Sequence, residues 1–269
     1  MAYQAALLEK SGVAEIGPKK FGCCWGQAWC WALFTRIEPR PRGSKCSRQS
    51  VWRNSFRRSV GLTPKVPAVR CAPHGEAQMT TLMRYLTHPQ VKIDPHVPVR
   101  SWRLSAVGAA RVQALMTAGW LARTTLVVSS AEPKALETAE PLAAALGIPL
   151  EVREAMHEND RSATGFLPPV EFESVANQFF AYPNKSIRGW ERAVDAQARI
   201  VRETEAVLSR QHEGDVLFVG HGAVGTLLLC HYSNVIIART HDQPSGGGYY
   251  FTMTKINRRV LHSWRRMED

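Results

Sequence analysis

The chain has 269 residues, a formal net charge of +11 and six cysteines. Residues 1–78 contain 13 Lys/Arg against 4 Asp/Glu, whereas the rest of the chain contains 21 against 19, so the positive charge belongs to the front segment. A nearly neutral body offers no basic face to nucleic acid, and its single cysteine, Cys230, excludes a disulfide framework there. No apolar run reaches the roughly 18 residues that a membrane span requires. We therefore expect a soluble, cytoplasmic protein that binds neither nucleic acid nor membranes.

The front segment differs in character from the rest of the chain. Residues 1–78 show no sustained helical or strand periodicity, and they are rich in Arg and poor in acids. An organellar transit peptide has a similar composition, but Glu9 and Glu15 come early and no amphipathic face is present. We predict that Met79 is the natural start, that residues 1–78 are a basic, disordered or non-native extension, and that one domain covers residues 79–269.

Strands and helices alternate from Met79 onward. A strand predicted over 81–86 ends at the His88-Pro89 pair, because proline restricts the residue before it to extended conformations. Ser105 is a typical N-cap for a helix that runs to about residue 121. A buried strand over 125–128 then precedes a helix that we expect Ser129 and Ser130 to open and that continues through residue 144.

The second half of the domain continues the alternation. The predicted elements are a short strand near Leu150, an irregular stretch over 154–169, helices over 170–181 and 190–211, a strand over 215–219, a helix over 223–232 and a hairpin over 249–254 and 259–264. This order predicts an α/β fold, a three-layer α/β/α sandwich with a mixed, mainly parallel sheet. Ligands of such sheets bind beyond the carboxyl ends of the strands, where His88, Ser129-Ser130 and His221 are expected.

Three motifs occur at these predicted strand ends. They are Leu86-Thr87-His88-Pro89, the stretch from Ser129-Ser130 through Lys134 to Thr138-Ala139, and Gly220-His221-Gly222. In this order they resemble the histidine phosphatase superfamily, which has a phosphoglycerate-mutase-like fold, and the similarity covers essentially all of residues 79–269.

The resemblance implies a role for each matching residue. His88 would attack phosphorus and form a phosphohistidine, and His221 would donate a hydrogen bond to the phosphoryl oxygens. Glu158 matches the proton donor, although Glu154 and Asp160 are close enough in sequence to take that role. No metal or cofactor is implied.

Two substitutions distinguish the first motif from the family pattern. Thr87 replaces its arginine and Pro89 its glycine, and Lys134 stands where the second motif usually has arginine. The phosphate pocket therefore needs another cation, for which we favour Arg161 over the candidates Arg84, Arg100 and Arg103. The predicted phosphate-binding residues are Lys134, Arg161, Thr87, Arg84 and Gly222.

The sequence thus predicts a phosphomonoester hydrolase that acts on a small phosphorylated substrate through a phosphohistidine on His88. The main alternative is a weakened phosphate-binding module of the same fold, because the substitutions at residues 87 and 134 remove arginine. A phosphomutase is a further alternative. So is a dinucleotide enzyme, because 220–225 fits GxGxxG and Asp242 follows about twenty residues later.

Overall fold

The computed structural model describes residues 80–210 and 212–269. The predicted extension over 1–78 lies outside the described residues, as does Gln211, the predicted end of a helix. The described residues form six strands and five α-helices. In chain order these are β1 (Leu82–Thr87), α1 (Ala106–Leu115), β2 (Thr124–Ser130), α2 (Pro133–Leu146), β3 (Leu150–Arg153), α3 (Pro169–Ala181), α4 (Ala193–Leu208), β4 (Asp215–Gly220), α5 (Gly222–Ser233), β5 (Tyr249–Thr254) and β6 (Val260–Arg266).

The strands form one mixed sheet in the order β3-β2-β4-β1-β5-β6. The first four are parallel, whereas β5 and β6 form an antiparallel hairpin beside β1. Because successive strand residues point to opposite faces, the apolar strands supply two cores. One core packs the sheet against α3, α4 and α5 and includes Tyr85, Phe218, Phe179, Ile200 and Leu227. The other packs it against α1 and α2 and includes Leu86, Leu217, Val112 and Leu142. The predicted three-layer α/β/α architecture is confirmed.

Three helices differ from the prediction by more than one residue at a boundary. Helix α4 is Ala193–Leu208 rather than the predicted 190–211. Helix α1 is capped by Ser105 as expected, but it ends at Leu115 rather than near 121, and Trp120 stacks on Tyr250 with ring centroids 4.4 Å apart. Helix α2 begins at Pro133 rather than at the serines, because Ser129 and Ser130 remain in β2 and pair with β3. Proline suits a first helical turn, where its missing N–H group has no intrahelical partner.

The register of β1 and β4 sets the position of the two motif histidines. Thr87 lies opposite Gly220, the last residue of β4, and the His88 N–H donates to the Gly220 carbonyl at 2.9 Å. His88 and His221 therefore follow adjacent parallel strands at the same edge of the sheet.

A buried ion pair lies at the amino ends of the same parallel strands. Asp215, the first residue of β4, is fully buried and accepts hydrogen bonds from the Leu82 N–H and from the Arg84 guanidinium, both at 2.9 Å. Arg84 also lies over the Trp120 ring, 5.7 Å from its centroid. The structure therefore does not bring Arg84 to the predicted phosphate site, because its guanidinium is bound at the amino end of the parallel strands.

We predict that Asp215→Ala lowers the free energy of unfolding by about 3–5 kcal/mol, because it leaves the Arg84 charge buried without its partner. Urea denaturation measures this loss. Asp195→Ala serves as the control, since Asp195 pairs with Arg192 where both side chains are about half exposed, and we expect it to change stability little. Equal effects of the two substitutions would contradict a structural role for the buried pair.

Candidate active site

A cavity of about 750 Å³ lies at the carboxyl ends of β1 and β4. Five of the predicted site residues line it, namely His88, Lys134, Glu158, Arg161 and Gly222. Arg84, Thr87 and His221 are not among its lining residues. His221 is fully buried, and its ring lies edge-on to the His88 ring with centroids 5.3 Å apart. The structure thus brings both motif histidines to one place.

His88 is held in one orientation and one tautomer. Its Nδ1 lies 2.9 Å from the Pro89 carbonyl, which can only accept, so Nδ1 carries the proton and Nε2 keeps a lone pair. Its carbonyl accepts from the Gly248 N–H, and Gly247 must be glycine because a Cβ there would lie 2.3 Å from that carbonyl. Burial, together with the nearby Lys134 charge, lowers the pKa of His88 to about 4. The ring is therefore neutral at physiological pH.

His221 has the complementary arrangement. The Ser130 hydroxyl accepts the Glu132 N–H and lies 2.8 Å from His221 Nε2, which is the acceptor available for its own proton among its contacts in the described residues. We therefore assign the His221 ring proton to Nδ1. Nδ1 has no hydrogen-bond partner within the described part of the chain. Burial and the nearby Lys134 charge also hold the pKa of His221 well below its usual value. The structure thus has a neutral donor beside His88 whose proton is not engaged.

Lys134 lines the cavity and is paired with a buried acid, Glu132, that the sequence did not single out. Its buried Nζ forms an ion pair with Glu132 and donates to the Val99 carbonyl at 3.0 Å. The other Glu132 oxygen accepts the Glu158 N–H at 3.0 Å and lies 3.9 Å from His221 Nε2. Burial lowers the pKa of Lys134, whereas the Glu132 carboxylate raises it. Two of the three ammonium protons are therefore committed within the protein.

Glu158 caps helix α5. Its carboxylate accepts the N–H groups of Ala223 at 3.2 Å, Val224 at 3.1 Å and Asn159 at 3.0 Å. Only the Ala223 bond uses Oε2, which keeps room for a proton. Burial raises the pKa of Glu158 despite the opposing effect of the Arg161 charge.

The two competing acids lie elsewhere. Glu154 and Asp160 are exposed and neither lines the cavity, so the geometry favours Glu158 as the acid of the site. The same contacts bear on the GxGxxG alternative. The N-terminus of α5, where a dinucleotide pyrophosphate would bind, holds the Glu158 carboxylate instead.

Thr87 is committed to a neighbouring loop. Its hydroxyl donates to Gln243 Oε1 at 2.6 Å and accepts the Tyr249 N–H at 3.1 Å. Gln243 lines the cavity, and its Nε2 would lie 2.6 Å from a Cβ on Gly222, so a larger residue there would displace the Gln243 amide. The hydroxyl therefore does not face the cavity, but it orients an amide that does.

Arg161 lies against the aromatic wall of the cavity. Its guanidinium carbon is 5.0 Å from the centroid of the Phe172 ring and 6.0 Å from that of Trp190. The two other candidate cations are less well placed. Arg103 forms an ion pair with Glu137, and Arg100, whose side chain is 59% exposed, approaches Glu132 only to 3.9 Å. Of the predicted replacements for the missing arginine, Arg161 alone lines the cavity.

The sequence of this chain matches one protein-family model. The model of the histidine phosphatase superfamily (branch 1) matches residues 74–246. The chain belongs to the histidine phosphatase superfamily. No curated protein sequence matches the chain.

Solved structures with a fold similar to that of this chain include phosphatases. A mycobacterial glucosyl-3-phosphoglycerate phosphatase is 17% identical with a TM-score of 0.57, over 69% of this chain and 96% of its own. YhfR of Bacillus stearothermophilus is 19% identical with a TM-score of 0.59, over 68% and 95%. A phosphoserine phosphatase of Entamoeba histolytica, in complex with 3-phosphoglyceric acid, is 13% identical with a TM-score of 0.57, over 70% and 100%. At these identities the similarity establishes the fold.

The described residues contain no group of three or more His, Cys, Asp or Glu side chains arranged to hold a metal ion. None of their helices is long and apolar enough to cross a membrane.

We predict that neither motif histidine titrates between pH 5 and 8. Because burial lowers both pKa values, and that of His88 to about 4, each ring stays neutral until the pH falls far below the ordinary histidine range. NMR of the histidine ring protons, recorded as a function of pH, measures this. A His88 midpoint above pH 6 would contradict the buried, neutral nucleophile.

Proposed function

We propose that the chain is a phosphomonoester hydrolase that works through a phosphohistidine on His88. The observation that carries the proposal is the pairing of two neutral histidines in complementary tautomers. His88 presents a lone pair on Nε2, and the adjacent His221 presents a proton on Nδ1 that has no partner in the described part of the chain. A nucleophile beside a preorganised donor is the arrangement that phosphoryl transfer requires.

In the first step, His88 Nε2 attacks phosphorus and the bond between phosphorus and the ester oxygen breaks. The lone pair of Nε2 forms the new N–P bond, and the ester oxygen leaves with the electrons of the broken bond. Glu158 donates the Oε2 proton to that oxygen, so that an alcohol departs. The phosphoryl oxygens are stabilised by His221 Nδ1–H, Lys134 and Arg161, with Gly222 allowing close approach of the backbone.

In the second step, water attacks the phosphohistidine. The Glu158 carboxylate left by the first step accepts a proton from this water, the N–P bond breaks, and its electrons return to His88 Nε2. Inorganic phosphate leaves and both residues regain their starting protonation states. Because burial raises the pKa of Glu158, its carboxyl group keeps its proton to higher pH than an ordinary glutamate and can act in turn as acid and base.

The contacts of Lys134 also favour a second candidate function. Losing one charged donor typically costs a hundredfold to a thousandfold in rate, and here Thr87 replaces an arginine while Glu132 partly neutralises Lys134. A site weakened in this way could bind a phosphate ligand without turning it over. The nucleophile and the acid together support catalysis, since binding alone requires neither.

We predict that the chain forms an acid-labile, base-stable phosphoenzyme with a labelled aryl phosphate, because a phosphohistidine has that stability, and that His88→Ala abolishes it. Acid-quench trapping measures the label. His96→Ala, which removes an exposed histidine from the loop after β1, is the matched control and should keep the label. Arg161→Met should form the label more slowly if its charge replaces the missing arginine.

The trapping experiment separates the two candidate functions. Phosphate binding with neither label nor turnover across phosphomonoesters would support the binding module. A label that survives in His88→Ala would place the nucleophile elsewhere.

The pH dependence of kcat/KM tests Glu158 as the acid. His88 must be neutral, so activity falls as the pH drops through about 4, and Glu158 must be protonated, so activity falls as the pH rises through its raised pKa. We predict that Glu158→Gln removes this alkaline limb and lowers the rate by about a hundredfold or more with an alkyl phosphate, whose alkoxide needs the proton. An alkaline limb unchanged in Glu158→Gln would exclude this role.

A further inference from the structure

The cavity is much larger than the phosphoryl group that the two histidines would bind. Its volume of about 750 Å³ falls within the range of roughly 300–1,000 Å³ that proteins use for whole organic ligands. A phosphoryl group beside His88 would leave most of that space to the alcohol portion of the ester. The chemistry of the residues that line the remaining space therefore indicates the chemistry of the leaving alcohol.

Those walls are mainly apolar. One side of helix α3 and the loop after β1 contribute Phe172, Ala176, Phe180, Ile93, Val99 and Trp102. The indole N–H groups of the wall are already used, since Trp102 donates to the Asp94 carbonyl at 2.9 Å and Trp190 to Thr164 Oγ1 at 2.8 Å. These side chains therefore offer a ligand apolar surface rather than hydrogen bonds.

The charges in the wall disfavour a second anionic group on the substrate. Among the lining residues the Lys and Arg side chains are Lys134, Arg161 and Arg239, of which the first two are assigned to the phosphate. Arg239 is bonded to Glu173 at 3.0 Å and Asp242 at 3.1 Å, so it is surrounded by two carboxylates. A substrate carboxylate would meet net negative charge there.

We propose, on the basis of the hydrolase function above, that the substrate is the phosphate monoester of a bulky, uncharged apolar or aromatic alcohol. The side of helix α3 that lines the cavity, with Phe172, Ala176 and Phe180, is called the α3 wall. It selects such a substrate by burying the apolar leaving group, which stabilises the complex in proportion to the area removed from water. Esters whose alcohol carries a carboxylate, such as 3-phosphoglycerate and phosphoserine, are poor substrates.

The test is kcat/KM along straight-chain alkyl monophosphates from ethyl to hexyl, whose leaving groups have similar reactivity. We expect an increase of about fourfold per methylene, and hexyl phosphate to exceed 3-phosphoglycerate. Ala176→Leu narrows the α3 wall and should reduce the hexyl-to-ethyl ratio by about tenfold or more. Ala181→Leu, at the exposed end of the same helix, is the matched control and should leave that ratio unchanged.

Binding of the corresponding alkylphosphonates, which cannot be hydrolysed, separates this inference from the proposed function. If no ester is turned over but Kd improves with chain length, the hydrolase proposal fails and the apolar subsite stands. If neither kcat/KM nor Kd changes with alkyl chain length, or if 3-phosphoglycerate is preferred over hexyl phosphate, the proposal of an apolar subsite is wrong.

Discussion

The parallel pairing of β1 with β4 is the constraint on which the site depends. Thr87 lies opposite Gly220, so the next residue of each strand is a histidine, and the bond from the His88 N–H to the Gly220 carbonyl ties the two ends together. A register shift of one residue would point the side chains of one strand to the other face of the sheet. The buried pair of Arg84 and Asp215 stabilises the same two strands at their other end. The catalytic geometry is therefore a consequence of strand register.

The charges around the histidines distinguish this site from the family pattern. Where the first motif has arginine, a threonine hydroxyl orients the Gln243 amide, and where the second has arginine, a lysine is paired with Glu132. The positive charge around the histidines is thus lower than the family pattern implies, while the residues proposed as nucleophile, adjacent donor and acid are all present. On this account phosphate affinity is modest, and burial of the leaving group contributes much of the substrate binding.

The sequence predicted the layers and the strand-end positions of His88 and His221 because these depend on local patterns, namely apolar strands and the residues that follow them. Glu158 was indicated only by the family resemblance, which left Glu154 and Asp160 as alternatives. It could not place Arg84, whose partner Asp215 is 131 residues away. Nor could it indicate that Gln243 reaches Thr87 across 156 residues. Lys134 and Glu132 are two residues apart at a strand-to-helix junction, where spacing alone does not predict contact. The proline after Glu132 was the available signal for the true start of α2.

The most direct test of the central claim, that His88 takes the phosphoryl group before water does, is the stereochemical course at phosphorus. A phosphorothioate monoester, made chiral at phosphorus by two oxygen isotopes, would be hydrolysed in water labelled with the third isotope, and the configuration of the thiophosphate product determined. Two successive in-line displacements, first by His88 and then by water, give overall retention, which is the result this account predicts. Inversion would mean that water attacks the ester directly, and it would contradict the covalent role of His88.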